Sequence, residues 1–447
     1  MSQRFDLILR GAIAATPNGI APADIAIAGG RFAAIGHVEG AAAEEIDARG
    51  LHALPGVIDT QVHFREPGLM HKEDFAAGTA GAALGGVTAV FEMPNTNPNT
   101  VGAAELSDKL ARAKGRAWCD MAFFIGAAEE NAAELGELER LPGCCGVKIF
   151  MGSSTGTLLV ADDDALESVL RHGRRRVAVH AEDEARLRER LPLAKESGDV
   201  AMHPVWRDEE TALRATRRLL ALARKAGRRV HVLHVTTAEE MDLLATAKDI
   251  ATVEATPQHL TLAAPDCYRE LGTLAQMNPP IRDDRHRQAL WRAIAAGIVD
   301  CIGSDHAPHT KEEKARPYPT SPSGMPGVQT LLPLLLDHMA AGRLSLERLV
   351  DLTSAGPARI YNIAGKGRIA LGYDADVTLV DLKAHRTIRR EWMATKSGWT
   401  PFEGKEIRGW PIATIVRGQV VMREDQLLGS PIGEPIRFGE TLPSEAE

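Results

Sequence analysis

No apolar run in the chain approaches the roughly 18 residues needed to span a bilayer. The opening stretch, MSQRFDLILR, carries Asp6 and Arg10 among its apolar residues and so lacks the core of a secretory signal. Aromatic side chains are scarce, at 4%, which argues against base-stacking platforms. Positive charge is not in excess: 52 Lys and Arg stand against 60 Asp and Glu, a net charge of −8. That balance gives no electrostatic reason to expect nucleic acid or a membrane as partner. The five cysteines (119, 144, 145, 267 and 301) form no C-x-x-C pair, so reduced, buried thiols in a cytoplasmic protein are expected. Adjacent Cys144 and Cys145 would face opposite sides of a strand, a poor metal pair. No G-x-G-x-x-G follows the first barrel-type strand, which disfavours a dinucleotide-binding doubly wound sheet.

What is present is a globular composition: 447 residues, 44% hydrophobic and 25% charged, which excludes disorder. Residues 1–54 read as short strands with Gly, Pro and Asn turns, and the same texture returns at 375–382 and 413–423. Both ends together predict one small β-sandwich, residues 1–54 and 366–430, with a loosely held tail at 431–447. Between them apolar strands recur at 56–63, 87–93, 119–126, 145–151, 176–181, 229–236, 251–257 and 299–305, separated by helix-like segments such as 207–227 and 285–297. Eight parallel-type strands with intervening helices predict an α/β fold, a (β/α)8 TIM barrel over 55–365.

The strand ends carry the chemistry. His63, Asn95, Lys148, His180, His234 and Asp305 each stand at or just beyond the C-terminal end of a strand, the face where barrel enzymes place their active sites. Strand alternation predicts that Gln61, His63 and Arg65 share one side. It sends His231 and His234 to opposite sides, and His234, nearer the end, is the choice for the site. Three imidazoles and a carboxylate suit zinc. Lys148 fits such a site only if neutral or modified: carbamylated by CO2 it would bridge two metals, whereas a plain ammonium would instead neutralise an anionic substrate.

The strings PGVIDTQVHFREPG (55–68), FEMPNTNP (91–98), GVKIFMGSSTG (146–156), VHAE (179–182), LHVT (233–236), MNPP (277–280) and GSDHAPH (303–309) resemble the amidohydrolase superfamily, and within it the dihydroorotases, over essentially the whole chain. The resemblance implies one or two Zn2+ ions held by His63, Lys148 as N6-carboxylysine, His180, His234 and Asp305, with Asp305 also the catalytic base and acid. It assigns Arg65, Asn95, Asn278 and His309 to the substrate, with Ser323 and Gly324 in a pocket-lining loop. The reaction implied is reversible hydrolysis of L-dihydroorotate to N-carbamoyl-L-aspartate in de novo pyrimidine (UMP) biosynthesis. Arg65 would hold the ring carboxylate, and related allantoinases and hydantoinases are expected to differ there because their substrates lack it. A homodimer is expected. One departure stands out: the superfamily opens with H-x-H, and this chain has Gln61-Val62-His63. Gln61 either coordinates weakly, leaves one metal position empty, or marks a silent partner of aspartate transcarbamoylase. The segment 310–326, rich in Lys, Glu, Pro and Ser, is expected to close over the substrate as a lid.

Overall fold

The computed structural model describes residues 4–154 and 156–441; Thr155 of the 146–156 string and the last six residues of the tail lie outside them. The chain opens with β1 (Phe5–Thr16), β2 (Gly19–Ala28), β3 (Arg31–Gly36), β4 (Ala42–Asp47) and β5 (His52–Pro55). Eight strands follow: β6 (Val57–Val62), β7 (Val87–Glu92), β8 (Asp120–Gly126), β9 (Cys144–Phe150), β10 (Val177–His180), β11 (Val230–Val232), β12 (Ala251–Ala255) and β13 (Cys301–Ile302). They pair in parallel in sequence order, one for each strand expected from the apolar runs. Helices cover the outside, so the strands are buried on both faces and read as continuous apolar runs. Between β6 and the end of β13 the only ladder pairing among the described residues is a bridge from Val62 to His306, where the His63 N–H donates to the His306 carbonyl at 2.7 Å; the Ser304 N–H also donates to Asp59 Oδ1 at 2.9 Å and Gln61 Nε2 to Asp305 Oδ1 at 3.0 Å.

The chain returns in β14 (Val377–Thr387), β15 (Glu406–Val416), β16 (Gln419–Arg423) and β17 (Gln426–Leu427). These join β1–β5 in one mixed sheet, ordered β17-β16-β15-β14-β5-β1-β2-β3 with β4 beside β1. Leu7 and Leu9 of β1 face one core with Phe32 of β3, Leu379 of β14 and Ile415 of β15, while Ile8 faces the other side. Strands far apart in the sheet therefore share a core, and a single sheet wraps round it in the manner of a sandwich. The stretch 413–423 is two strands, split where Arg417 and Gly418 both adopt positive φ, a tight hairpin turn.

The long helix Glu209–Ala226 shows how the outer layer is specified. Asp208 caps it by accepting from the Thr211 N–H, Gly227 ends it in the left-handed conformation, and Leu213, Leu219 and Leu220 turn inward. The C-terminal segment is not loosely held up to residue 441. Glu434 accepts from the Met121 N–H at 3.0 Å and the Ile436 N–H donates back to Met121 at 2.9 Å. Ile436 and Phe438 are buried against the barrel interior, with the Phe438 ring edge-on to Phe91 at 5.7 Å. The overall charge of the tail obscured that grip, which depends on contacts with distant strands.

Candidate active site

Gln61 lies within β6, Lys148 within β9, and His180 is the last residue of β10. His63, His234 and Asp305 follow the ends of β6, β11 and β13 by one, two and three residues. Together with Arg65, Asn95, Asn278, Ser323 and Gly324 they line a single pocket at the C-terminal mouth of the barrel. Arg65, His234 and Asp305 have φ of 65°, 36° and 44°, a region that L residues seldom adopt. Such strain is tolerated where the surrounding structure fixes a side chain for function. It also corrects the alternation argument. Because β6 ends at Val62, Arg65 enters the pocket through its left-handed backbone and not by strand period. His231 and His234 both turn into the barrel, since β11 stops at Val232; His231 lies deeper, against Glu254 and Cys301.

The imidazoles are held in the neutral form. His180 Nε2 donates to Glu182 at 2.8 Å, and Glu182 is itself gripped by Arg207. This fixes the His180 proton on Nε2 and turns the Nδ1 lone pair toward His234 Nε2, 3.0 Å away. Two nitrogens on one tetrahedral ion lie about 3.3 Å apart, close to that separation. Burial pushes His180 down and His234 well down from the usual imidazole value. His63 donates from Nδ1 to Asn95 at 2.8 Å, leaving Nε2 3.3 Å from Asp305 Oδ1; burial lowers it to about 4. Gln61 donates to the same Asp305 oxygen at 3.0 Å, and its own Oε1 has no partner. Burial brings Lys148 down to about 7 against the pull of Asp305 and Glu254. A substantial share of neutral amine is thereby present near neutral pH, the form that reacts with CO2. Buried nitrogen and oxygen donors, with Gln61 Oε1 unpartnered among the described residues, form a set that a divalent ion fits.

The other wall is cationic. Arg65 is buried, with Nε donating to the Pro308 carbonyl at 3.2 Å and Nη1 unpartnered. Burial lowers it only to about 10, so it stays charged. His309 does not line the pocket but stands behind Arg65, 3.2 Å from Nη2. Lys72 can only donate, so at 3.1 Å it fixes His309 Nδ1 as acceptor and directs the Nε2 proton to the Ser323 carbonyl at 3.0 Å. His203 Nε2 faces Asn278 Oδ1 at 3.0 Å and the Met277 carbonyl at 2.9 Å, holding that loop. Gly324 sits at φ 134°, where a Cβ would meet the Ala307 carbonyl at 2.3 Å. The segment expected to be a lid is tied down: buried Lys314 donates to the carbonyls of Gln276, Pro322 and Gly324 at 2.9 to 3.0 Å. Phe150, Ser154 and Ala307 also line the pocket and were not named from sequence. Phe150 stands two residues after Lys148 within β9, so the strand period was a signal for it.

The family model for the amidohydrolase family matches residues 52–421, and the chain belongs to that family. It is a cyclic amide hydrolase. Among its relatives, a dihydroorotase of Halobacterium salinarum is 40% identical over 83% of this chain and 86% of its own length. An allantoinase of Rubrobacter xylanophilus is 37% identical over 97% and 98%. The solved structure of an L-hydantoinase (dihydropyrimidinase) from Arthrobacter aurescens superposes with a TM-score of 0.91 at 29% identity, covering 97% of this chain and 99% of that one. Among the described residues no helix is long and apolar enough to cross a membrane.

Proposed function

We propose that the chain is a zinc-dependent dihydroorotase, opening L-dihydroorotate to N-carbamoyl-L-aspartate and closing it in the reverse direction for pyrimidine synthesis. The observation that carries this reading is Arg65: a buried, charged guanidinium on the pocket wall whose Nη1 has no partner among the described residues. A buried donor of that kind is costly unless an anion meets it, and the ring carboxylate of dihydroorotate supplies one in two-pronged geometry.

His63, His180, His234, Asp305 and carbamylated Lys148 would hold zinc, with Gln61 the weak member because its amide oxygen is neutral. When bound, the metal lowers the pKa of water and polarises the carbonyl under attack. Asp305 takes the proton of the attacking water and passes it to the departing ring nitrogen, base and then acid. Gln61 Nε2 donates at 3.0 Å to the Asp305 Oδ1 that does this and holds it in place. Asn95 and Asn278 orient the ring, Ser323 and Gly324 shape its seat, and His309 packs behind Arg65.

The test is turnover of L-dihydroorotate, allantoin and hydantoin by the purified chain with its metal counted. Ring opening of dihydroorotate alone supports the proposal. The allantoinase relative, similar over 97% of this chain, favours a second reading as another cyclic amidase. Opening of allantoin or hydantoin without dihydroorotate would establish that reading. Zinc-loaded protein inert on all three, co-purifying with aspartate transcarbamoylase, would make it a silent partner.

A further inference from the structure

Beneath the pocket lies a second group of metal-ligating side chains that the proposed hydrolysis does not use. His231 of β11, Glu254 of β12 and Cys301 of β13 point into the barrel and are fully buried. His231 Nε2 is 3.5 Å from Glu254 Oε2 and 3.6 Å from Cys301 Sγ, and Cys301 Sγ is 3.8 Å from that Glu254 oxygen. The nitrogen–oxygen separation is long for a hydrogen bond, while the two sulfur separations are within reach of weak thiol hydrogen bonds. All three are close to the edges of a zinc tetrahedron, which bond lengths of about 2.3 Å to sulfur and 2.0–2.1 Å to nitrogen or oxygen set at roughly 3.3–3.6 Å. Glu254 Oε1 has no partner among the described residues, nor has the hydroxyl of Tyr361, whose ring packs 5.6 Å from that of His231. Something other than these side chains is needed to satisfy a buried carboxylate oxygen.

We propose that His231, Glu254 and Cys301 form a separate structural site for a thiophilic divalent ion, Zn2+ by its donor set, inside the barrel. Binding forms bonds from the ion to His231 Nε2, to Glu254, and to Cys301 Sγ, whose thiol proton leaves to solvent. Thiolate and carboxylate then balance the two positive charges, so no net charge is buried. The place explains the need. β11 and β13 have three and two residues, and β13 meets β6 through the sparse seam. Thr60 of β6 donates to Glu254 Oε2 at 2.6 Å, so the ion would staple β11, β12 and β13 to each other and, through Thr60, to β6. His231 Nδ1 against the Thr252 hydroxyl at 2.8 Å fixes the ring for that role.

The pocket above contains no sulfur donor, so sulfur ligation reports the interior site alone. The full chain is produced in medium where Co2+ replaces Zn2+, which lets the ion enter as the barrel folds. A sulfur-to-cobalt charge-transfer band in the near ultraviolet is expected from the wild type. Cys301→Ser is expected to lose that band and one equivalent of metal. A cobalt-grown wild type without the band, or a band that persists in folded Cys301→Ser, overturns the proposal. If the variant does not fold, X-ray absorption of zinc-loaded wild type decides. A sulfur neighbour at about 2.3 Å supports the site, and nitrogen and oxygen neighbours alone overturn it.

Discussion

Two groups of buried charge stand at opposite positions in the fold, and they are built differently. At the junction of barrel and terminal sheet, Lys366 reaches Asp120 and Asp376 at 2.7 Å and Asp374 at 3.3 Å. Arg417 pairs with Asp120, and Arg437 lies 3.1 Å from Asp374. Three cations meet three aspartates there. At the barrel mouth, by contrast, Arg65 Nη1, Gln61 Oε1 and His234 Nδ1 have no hydrogen-bond partner among the described residues, and three backbones are left-handed. A saturated network joins two parts of a fold; an unsaturated one is held open for something that is not protein.

The largest effect that sharpens this contrast is expected at Asp305. Asn tolerates left-handed backbone, so Asp305→Asn keeps the φ of 44° and removes the proton carrier together with the charge of a proposed metal donor. Turnover should fall about 10³-fold while the melting temperature stays or rises, since functional sites trade stability for activity. Steady-state kinetics beside a thermal melt check both halves; a large loss of stability would place Asp305 with the junction charges instead.

The junction should respond the opposite way. Lys366→Met leaves nearly buried Asp376 without its side-chain cation and takes one of the partners of Asp120 and Asp374, and removing one partner of a buried pair costs about 3–5 kcal/mol. Denaturant unfolding should show that loss, with kcat per folded molecule unchanged. A fall in kcat at full stability would break the comparison.

Arg65→Lys is expected to cost less. The ammonium keeps the charge but loses the two-pronged fork, and a charge-assisted bond is worth about 1.5–3 kcal/mol, or roughly 10- to 100-fold in kcat/KM on dihydroorotate. Turnover of a cyclic amide without a ring carboxylate should change far less. Equal losses on both substrates would show that Arg65 shapes the pocket and does not select the anion.

Much of this arrangement is legible along the chain, because a parallel barrel converts the end of each strand into one face. His63, Lys148, His180, His234 and Asp305 could be picked out by position alone. Arg65 was found for a wrong local reason: a two-residue period was extended past Val62, where the backbone turns left-handed. The cluster of His231, Glu254 and Cys301 was illegible, because it unites three strands whose spacing in sequence carries no period. The grip of Ile436 and Phe438 on the barrel interior depends on a contact with β7 and β8 that no local pattern encodes.

The smallest change in turnover, and the sharpest test of how open the mouth is, is expected at Gln61. Its Nε2 is committed to Asp305, and its unpartnered Oε1 is a neutral amide oxygen, a poorer zinc donor than imidazole. Gln61→His would offer a nitrogen from the same position on β6, beside His63. The variant should retain more zinc per chain than the wild type after identical dialysis, by up to one equivalent, as elemental analysis would show. Because the measure is a difference between two chains that share His231, Glu254 and Cys301, an interior ion cancels from it. Equal zinc in both would mean that the amide oxygen already serves as a full ligand, and Gln61 would then count among the mouth's satisfied groups.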